Sequence, residues 1–167
     1  TVLDSLNRII SKDFFDLTDN ILVEKKKLLK PSNKKLKVLV ITQARVGSTR
    51  LPNKVLLKIK AETILSLHLK RLIQSKRADK VVVATTEEKG VNQILDICRS
   101  LSVKYHQGSL DDVLDRFYQT ANVFHPDLVV RVTSDCPLID PALVDQVIEI
   151  AIDKNVDYCS NTITEDF

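Results

Sequence analysis

The stretch K-V-L-V-I-T-Q-A-R-V-G-S-T-R-L-P-N-K, residues 37–54, decides the fold predicted for this chain. It opens with an unbroken apolar run at 38–41 that has no polar alternation. Such a run is typical of a strand covered on both faces, as in a parallel α/β sheet. The chain then turns polar and basic within a few residues. Because ligands of open α/β sheets bind beyond the carboxyl ends of the strands, we interpret the basic loop as a candidate phosphate site.

Strand and helix patterns alternate four times from this point onward. The predicted strands are 37–43, 80–85, 103–106 and 127–132, the predicted helices are 63–75, 89–101, 110–124 and 141–154, and a further strand begins at 157. This alternation predicts an α/β fold in which a mostly parallel twisted sheet carries helices on both faces. The loops that follow the strands should then lie along one edge of the sheet. Thr63 and the pair Asp111 and Asp112 are expected to cap or flank helix N-termini.

Residues 1–36 differ from the rest of the chain. Apolar residues spaced by three and four predict an amphipathic helix or helix pair, and a Lys-rich linker follows around 30–36. Nine of the 25 Lys and Arg residues and five of the 22 Asp and Glu residues lie in 1–37, so the basic excess belongs to this segment. We therefore divide the chain into a helical extension at 1–36 and a globular domain at 37–167.

Several classes of function find no support in the sequence. No basic face with interleaved aromatic residues is visible, so nucleic acid is not an expected partner. No apolar run approaches the roughly 20 residues that a membrane helix needs, and nothing reads as a secretory signal. The three cysteines show no C-x-x-C spacing, which is typical of reduced cysteines in a cytoplasmic protein.

The loop at 44–54 offers the groups that a triphosphate needs. It contains neither a dinucleotide-binding G-x-G-x-x-G motif nor a P-loop. Gly47 is predicted to permit an unusual turn and close approach of a ligand, and successive amides at 44–49 could form an anion-binding nest. Arg45 and Arg50 would fork onto phosphate oxygens, and Lys54 would add a point charge. The alternative is a solvated basic loop without a ligand.

Five ordered motifs make this loop more specific. They are A-R-V-G-S-T-R-L-P-N-K at 44–54, V-V-V-A-T at 81–85, G-S-L-D-D-V-L-D-R at 108–116, R-V-T-S-D-C-P-L-I-D-P at 131–141 and D-Y-C-S-N at 157–161. Together they resemble the acylneuraminate and 3-deoxy-manno-octulosonate cytidylyltransferases. The versions D-D-V-L-D-R and D-C-P-L-I-D are most similar to the spore-coat polysaccharide biosynthesis proteins of that family. The resemblance implies the nucleotide-diphospho-sugar transferase fold, which is Rossmann-like.

The resemblance also implies roles for individual residues. The residues implied to bind the nucleotide are Gln43, Ala44, Arg45, Gly47, Ser48, Arg50, Lys54, Ala84, Thr85 and Arg116. Within this set, Lys54, Arg50 and Arg45 are the implied catalytic residues. Asp135 is the implied ligand of Mg²⁺, which prefers oxygen ligands and keeps several waters. His106, at the end of the third strand of the domain, is a weaker candidate for substrate contact, and His68 is interpreted as a structural residue of a helix.

The implied reaction is transfer of a nucleotidyl group from CTP, or another nucleoside triphosphate, to a sugar or sugar acid, with release of pyrophosphate. The expected setting is cell-surface or spore-coat polysaccharide synthesis, and a homodimer is among the expected assemblies. Asn53 replaces a glycine usual in the family, and asparagine tolerates left-handed backbone. The family continues past residue 167, so we expect a domain truncated at its C-terminal end. The alternative is a non-catalytic nucleotide-binding or scaffolding module that associates through its N-terminal helix.

Overall fold

The computed structural model describes residues 15–18, 21–24, 35–47 and 51–161. The chain divides into two compact units, residues 34–145 and a second unit made of 1–33 with 146–167. In chain order the strands are β1 Phe15–Thr18, β2 Ile21–Glu24, β3 Val38–Gln43, β4 Lys58–Ile59, β5 Glu62–Thr63, β6 Lys80–Thr86, β7 Lys104–Gly108, β8 Leu128–Thr133 and β9 Tyr158–Ser160. The helices are α1 Ile64–Leu72, α2 Asn92–Ser100, α3 Val113–Phe124 and α4 Pro141–Asp153, and a 3₁₀ turn covers Lys54–Leu56.

A four-stranded parallel sheet forms the centre of the larger unit. Its strand order is β7-β6-β3-β8, so the predicted parallel α/β sheet is confirmed. Strands β6 and β7 extend the sheet on one side of β3, and the chain then crosses back to place β8 on the other side. Such a reversal of strand order creates a crevice at the carboxyl ends of the strands, where open α/β sheets bind their ligands.

Apolar side chains pack on both faces of the two central strands, β3 and β6. On one face Val83 packs with Leu65 and Leu69 of α1 and with Ile94 of α2. On the other face β3 and β6 contribute Leu39, Ile41, Val82 and Ala84, against which Phe117, Ala121 and Phe124 of α3 pack. Burial on both faces explains the unbroken apolar run of β3, because no residue of its first five positions reaches solvent.

The capping residues predicted for two helices, and the proline predicted to open another, are found at the starts of those helices. The Thr63 hydroxyl accepts a hydrogen bond from the Ser66 amide at 3.1 Å and caps α1. The Asp112 carboxylate caps α3 by accepting from the Asp115 amide at 2.8 Å. Pro141 is the first residue of α4, a position that needs no amide donor. No helix in the described part of the chain is long and apolar enough to span a membrane.

The predicted N-terminal helix is wrong for the part of residues 1–36 that the structure describes. Strands β1 and β2 pair antiparallel, with Thr18 opposite Ile21, and β2 pairs in turn with β9. In F-D-L-T apolar and polar residues alternate, and I-L-V is rich in strand-forming types. The spacing at 1–14 and the linker at 25–34 lie outside the described residues.

Candidate active site

The carboxyl ends of all four parallel strands lie on the same side of the sheet, as predicted. This side is called the edge of the sheet below. Gln43 at the end of β3 is paired with Ala84 of β6 on one side and with Thr133 of β8 on the other. Thr86 at the end of β6 is paired with Gly108 of β7. The loops that carry the chemistry-bearing residues therefore leave the sheet side by side. A cleft of about 390 Å³ lies at the ends of β6 and β7, lined by Glu87, Glu88, Gly108, Ser109 and Leu110.

The loop after β3 is anchored to the end of β6. The Ala44 amide donates to the Ala84 carbonyl at 3.1 Å. The Val46 and Gly47 amides donate to the two carboxylate oxygens of Glu88, at 2.7 and 2.9 Å. Two of the amides predicted to form an anion nest therefore bind an anion of the chain itself, the Glu88 carboxylate.

The prediction for Gly47 needs a related correction. Its backbone does not have a positive φ, which among the glycines in the described residues belongs to Gly90. A Cβ on Gly47 would lie 2.5 Å from Oε2 of Glu88, so a side chain at this position would displace the carboxylate. The predicted close approach is thus made by a side chain of the protein. Asn53, at the far end of the loop, has φ 56° and ψ 20°, which confirms the predicted left-handed backbone.

Lys54 and Asp135 form an ion pair across the edge of the sheet. Lys54 Nζ lies 2.7 Å from Asp135 Oδ2, and the two side chains are 34% and 42% exposed. The hydrogen bond from Lys54 lowers the pKa of Asp135, and burial acts in the opposite direction. Because both side chains are reachable from solvent, the pair brings a cation and a carboxylate together where β3 and β8 end.

The loop that carries Asp135 is held in place by α1. His68 is fully buried, and its ring nitrogens contact the Thr42 hydroxyl at 2.9 Å and the Cys136 carbonyl at 3.0 Å. Burial lowers the pKa of His68, so the ring is held neutral more firmly than in water. Arg71 Nε donates to the Ile139 carbonyl at 2.6 Å. His68 is therefore a structural residue, as predicted, and it supports the loop of a predicted site residue.

Arg116 projects from the first turn of α3 and is fully buried. Its Nη1 donates to the Ser109 carbonyl, whereas its Nε and Nη2 have no hydrogen-bond partner. Burial lowers the pKa of Arg116, and the nearby positive charge of Arg45 lowers it further. Two guanidinium groups are thus brought within electrostatic reach of each other, an arrangement that an anion would stabilise.

Thr85 provides a second buried polar group without a partner. Its side chain is fully buried, and its Oγ1 makes no hydrogen bond. Within the described residues, the buried side-chain atoms that lack a partner are this oxygen and the two nitrogens of Arg116. Both residues were predicted from the sequence to face a nucleotide. Buried polar groups are rarely left unsatisfied, so unpaired ones at a strand edge favour a polar ligand.

The remaining predicted residues are placed as follows. Ala84 is fully buried beneath the edge, and the Gln43 carbonyl accepts from the Ser134 hydroxyl at 2.5 Å. Ser48 and Arg50 lie outside the described residues. His106 lies within β7 and is half-buried. The structure therefore gathers Gln43, Ala44, Arg45, Lys54 and Asp135 at one edge, and places Arg116 within electrostatic reach of Arg45.

The donor set for a metal at this edge is small. The described part of the chain contains no group of three or more His, Cys, Asp or Glu side chains that could hold a metal ion. Asp135 already binds a cation, the Lys54 ammonium, and remains partly exposed. One carboxylate fits Mg²⁺ in sites where water and substrate phosphates supply the other ligands.

Sequence reasoning missed Glu88. The strand-to-helix loop at 85–88 was predicted to lie on the same side of the sheet as the loop after β3, but no spacing in it indicates a partner at residues 46–47. The register of β3 against β6 brings the two loops together, with Gln43 opposite Ala84. The contact could have been predicted only by combining two observations: the predicted parallel pairing of the two strands, and the acidic residues that follow the second strand of the domain.

Comparisons with known proteins test the resemblance inferred from the sequence. The family model described as cytidylyltransferase matches residues 39–167. A spore coat polysaccharide biosynthesis protein of Bacillus subtilis is 37% identical over 126 residues, which are 72% of this chain and 52% of that protein. These matches confirm the resemblance inferred from the five sequence motifs.

Solved structures show the same fold. A cytidylyltransferase from Leptospira borgpetersenii has 40% sequence identity and a TM-score of 0.66, over 69% of this chain and 48% of that chain. A CMP:2-keto-3-deoxy-manno-octonic acid synthetase in complex with CTP has 24% identity and a TM-score of 0.63, over 70% and 48% of the two chains. The latter likeness shows the fold alone. The chain spans about half the length of these relatives.

Proposed function

The chain belongs to the cytidylyltransferase family, and from this premise we propose that it binds CTP with Mg²⁺ and serves transfer of the CMP group to a sugar or sugar acid. The observation that carries the proposal is the solvent-accessible pair of Lys54 and Asp135 at the carboxyl ends of the parallel strands, and the unpaired buried polar atoms of Arg116 and Thr85 support it. A nucleoside triphosphate offers acceptors for the arginine donors and negative charge for both cationic side chains.

In the proposed reaction a sugar hydroxyl attacks the α-phosphorus of CTP. The new bond joins the sugar oxygen to that phosphorus, the bond to the oxygen bridging the β-phosphate breaks, and the hydroxyl proton is released to solvent. Such transfer depends mainly on positioning and charge neutralisation. Lys54 and Arg45 would hold the phosphates, and Arg50 is proposed to join them. A well-placed cationic donor contributes on the order of a few kcal/mol to the stabilisation of the leaving pyrophosphate.

Asp135 is the residue proposed to hold Mg²⁺. When bound, the ion would neutralise phosphate charge and assist ionisation of the attacking hydroxyl. Lys54, now paired with Asp135 at 2.7 Å, would then be free to turn toward phosphate oxygens. The relatives named for spore coat polysaccharide biosynthesis and sugar-acid activation suggest a sugar or sugar acid of cell-surface polysaccharides as the acceptor.

The test is isothermal calorimetry of CTP, UTP, ATP and GTP with and without Mg²⁺, on wild type, Lys54→Ala and Lys104→Ala. Lys104 is exposed at the opposite edge of the sheet and gives the same charge change. We expect Mg²⁺-dependent CTP binding that K54A weakens by about tenfold or more, as loss of a charge-assisted contact predicts. K104A should bind CTP like wild type.

Two results would contradict the proposal. If the wild-type protein binds no nucleotide, the proposed function is wrong. If K54A and wild type bind CTP with equal affinity, Lys54 is not part of the site. Pyrophosphate release with a panel of sugars and sugar acids separates the two classes of function. CTP binding without pyrophosphate release would favour the non-catalytic nucleotide-binding module.

A further inference from the structure

Glu88 connects the loop after β3 to the end of β6. Its carboxylate accepts three hydrogen bonds, from the Val46 amide at 2.7 Å, the Gly47 amide at 2.9 Å and the Thr86 hydroxyl at 2.8 Å. Thr86 is fully buried, so its hydroxyl depends on a protein acceptor. Moving the carboxylate away would break three hydrogen bonds at the same time, one of them from a buried hydroxyl.

Gly47 leaves space for this carboxylate because it has no side chain. The built Cβ at position 47 would lie 2.5 Å from Glu88 Oε2, well inside van der Waals contact. Any other residue would push the carboxylate away from the amides. Gly47 and Glu88 therefore form a matched pair across the two loops.

The contact continues from Glu88 to the reactive end of the loop. The Val46 carbonyl accepts from the Asn53 amide at 3.0 Å, which closes the neck of the loop between these two residues. Lys54 follows Asn53 directly and pairs with Asp135 at 2.7 Å. A continuous path of hydrogen bonds and one peptide link thus runs from Glu88 through Val46 and Asn53 to Lys54.

Arg45 is fixed by the same contacts. It lies between the Ala44 amide, bonded to the Ala84 carbonyl at 3.1 Å, and the Val46 amide, bonded to Glu88. The residues on either side of Arg45 are therefore each tied, through their own amide N–H groups, to β6 or to a residue just after it. Loss of either tie would let the arginine backbone move relative to Arg116, whose pKa already responds to the charge of Arg45.

We propose that Glu88 is a positioning residue that fixes Arg45 and Lys54 for the phosphates of the nucleotide by clamping the Val46 and Gly47 amides. The inference rests on the proposed function, because it takes the phosphates of a nucleotide as the ligand of Arg45 and Lys54. Glu88 touches neither the phosphates nor the metal in this proposal. The competing interpretation is that the carboxylate occupies amides that phosphate would otherwise bind, in which case its removal would strengthen nucleotide binding.

The experiment compares wild type with Glu88→Gln, Gly47→Ala, Lys54→Ala and the double variant E88Q/K54A. Asp96→Asn is the matched control, because it is the same carboxylate-to-amide change at an exposed ion pair with Arg99 on α2. Amide hydrogen exchange without ligand reports the clamp, CTP calorimetry with Mg²⁺ reports binding, and circular dichroism reports the fold. G47A displaces the carboxylate without changing its charge, so it tests the clamp independently of E88Q.

Without ligand, we expect E88Q and G47A to speed exchange of the Val46, Gly47 and Asn53 amides by about tenfold, as loss of a charge-assisted bond predicts. Each variant should weaken CTP binding by about tenfold. In the K54A background, E88Q should weaken binding by less than about threefold, since residues on one path give non-additive effects. A general loss of stability would instead weaken binding equally in both backgrounds. D96N should match wild type in both measurements.

Other outcomes overturn the inference. Unchanged exchange in E88Q and G47A shows that no clamp exists. Unchanged or tighter CTP binding by E88Q, with wild type binding CTP, shows that Glu88 does not position the phosphate contacts. If wild type binds no nucleotide, the proposed function fails, and the exchange data alone then support or reject the clamp as the element that orders this loop.

Discussion

Arg116 is a single residue of the candidate site that lowers the stability of the folded chain. It is fully buried, it makes one hydrogen bond to the Ser109 carbonyl, and two of its nitrogens have no partner. Burial and the charge of Arg45 both lower its pKa, which means that the folded chain disfavours this cation. A buried unpaired donor costs about 1–3 kcal/mol. Such a residue is therefore expected where a ligand supplies the missing acceptors.

Arg116→Met is predicted to separate stability from binding. Methionine keeps much of the length and removes the charge and the unpaired donors, so the free energy of unfolding should stay unchanged or rise by about 1 kcal/mol. The affinity for CTP should fall by about tenfold or more, because the acceptors of the nucleotide lose their donors. Urea denaturation and calorimetry measure the two effects.

Arg116→Lys is the control for the fork geometry of the guanidinium. It keeps the positive charge but presents a single point of donation, so its CTP affinity should also fall. A methionine variant that is strongly destabilised and still binds CTP like wild type would show that Arg116 belongs to the core and not to the site.

At this scale the sequence predicted residue types better than residue partners. Arg45, Lys54 and Asp135 were predicted as site residues, and the structure brings them to one edge of the sheet. The partner of the loop amides was not predictable from spacing, because Glu88 lies more than 40 residues away and follows another strand. Only the register of β3 against β6 makes that contact visible.

Helix α1 is the element that links the core to the Asp135 loop. It begins at the Thr63 cap and carries two side chains that bind this loop, His68 to the Cys136 carbonyl and Arg71 to the Ile139 carbonyl. Its Leu65 and Leu69 pack in the core cluster that also includes Val83. The position of Asp135 therefore depends on the position of this helix.

Thr63→Ala is predicted to lower the free energy of unfolding by about 1 kcal/mol, because the Ser66 amide loses its side-chain acceptor. Thr63→Ser keeps the acceptor and should remain close to wild type. Urea denaturation of the three proteins measures the difference. Equal stability of T63A and wild type would show that water replaces the cap without cost.

The four parallel strands, the four helices and the strand near the C-terminal end were predicted from the sequence, whereas the short strands β1, β2, β4 and β5 were not. The predicted strands and helices have apolar runs or stripes long enough to identify them. The hairpin of β4 and β5 has two residues in each strand, which is too short for a periodic signal. In β1 and β2 the apolar positions also suit a helical stripe, and pairing with β9 decides in favour of strands.

At the scale of the larger unit, carboxylates form hydrogen bonds and ion pairs between segments that are distant in the sequence. Asp79 accepts from the Val38 amide at 2.8 Å and from Lys35, at the start of β3. Asp145 in α4 accepts from Ser75 and from the Lys76 and Arg77 amides after α1. These contacts join strand to strand and helix to helix at the edge opposite the candidate site. Strand order, unlike strand identity, depends on such long-range contacts and was therefore not predictable from local pattern.

The pKa shifts of these groups all make acid destabilising. The Val38 amide and Lys35 lower the pKa of Asp79, and in Asp145 burial opposes the hydrogen bonds but is outweighed by them. A carboxyl with a lowered folded pKa contributes stability above its unfolded pKa of 3.8 and loses it as pH falls through the folded value. His68 has a pKa lowered by burial, so the unfolded chain gains protons first as pH falls below 6.5.

The free energy of unfolding is therefore predicted to be level above pH 7, to decline below about 6.5 through His68, and to decline again below about 4 through Asp79 and Asp145. Urea denaturation at half-unit pH steps measures the profile. His68→Gln removes the titrating ring and should flatten the decline between pH 7 and 5, while Asp79→Asn should reduce the decline below pH 4. Both variants should lower the free energy of unfolding at pH 7. The test therefore compares the slopes of this free energy against pH and not its absolute values. Slopes equal to wild type in both variants would show that acid acts on this fold through other groups.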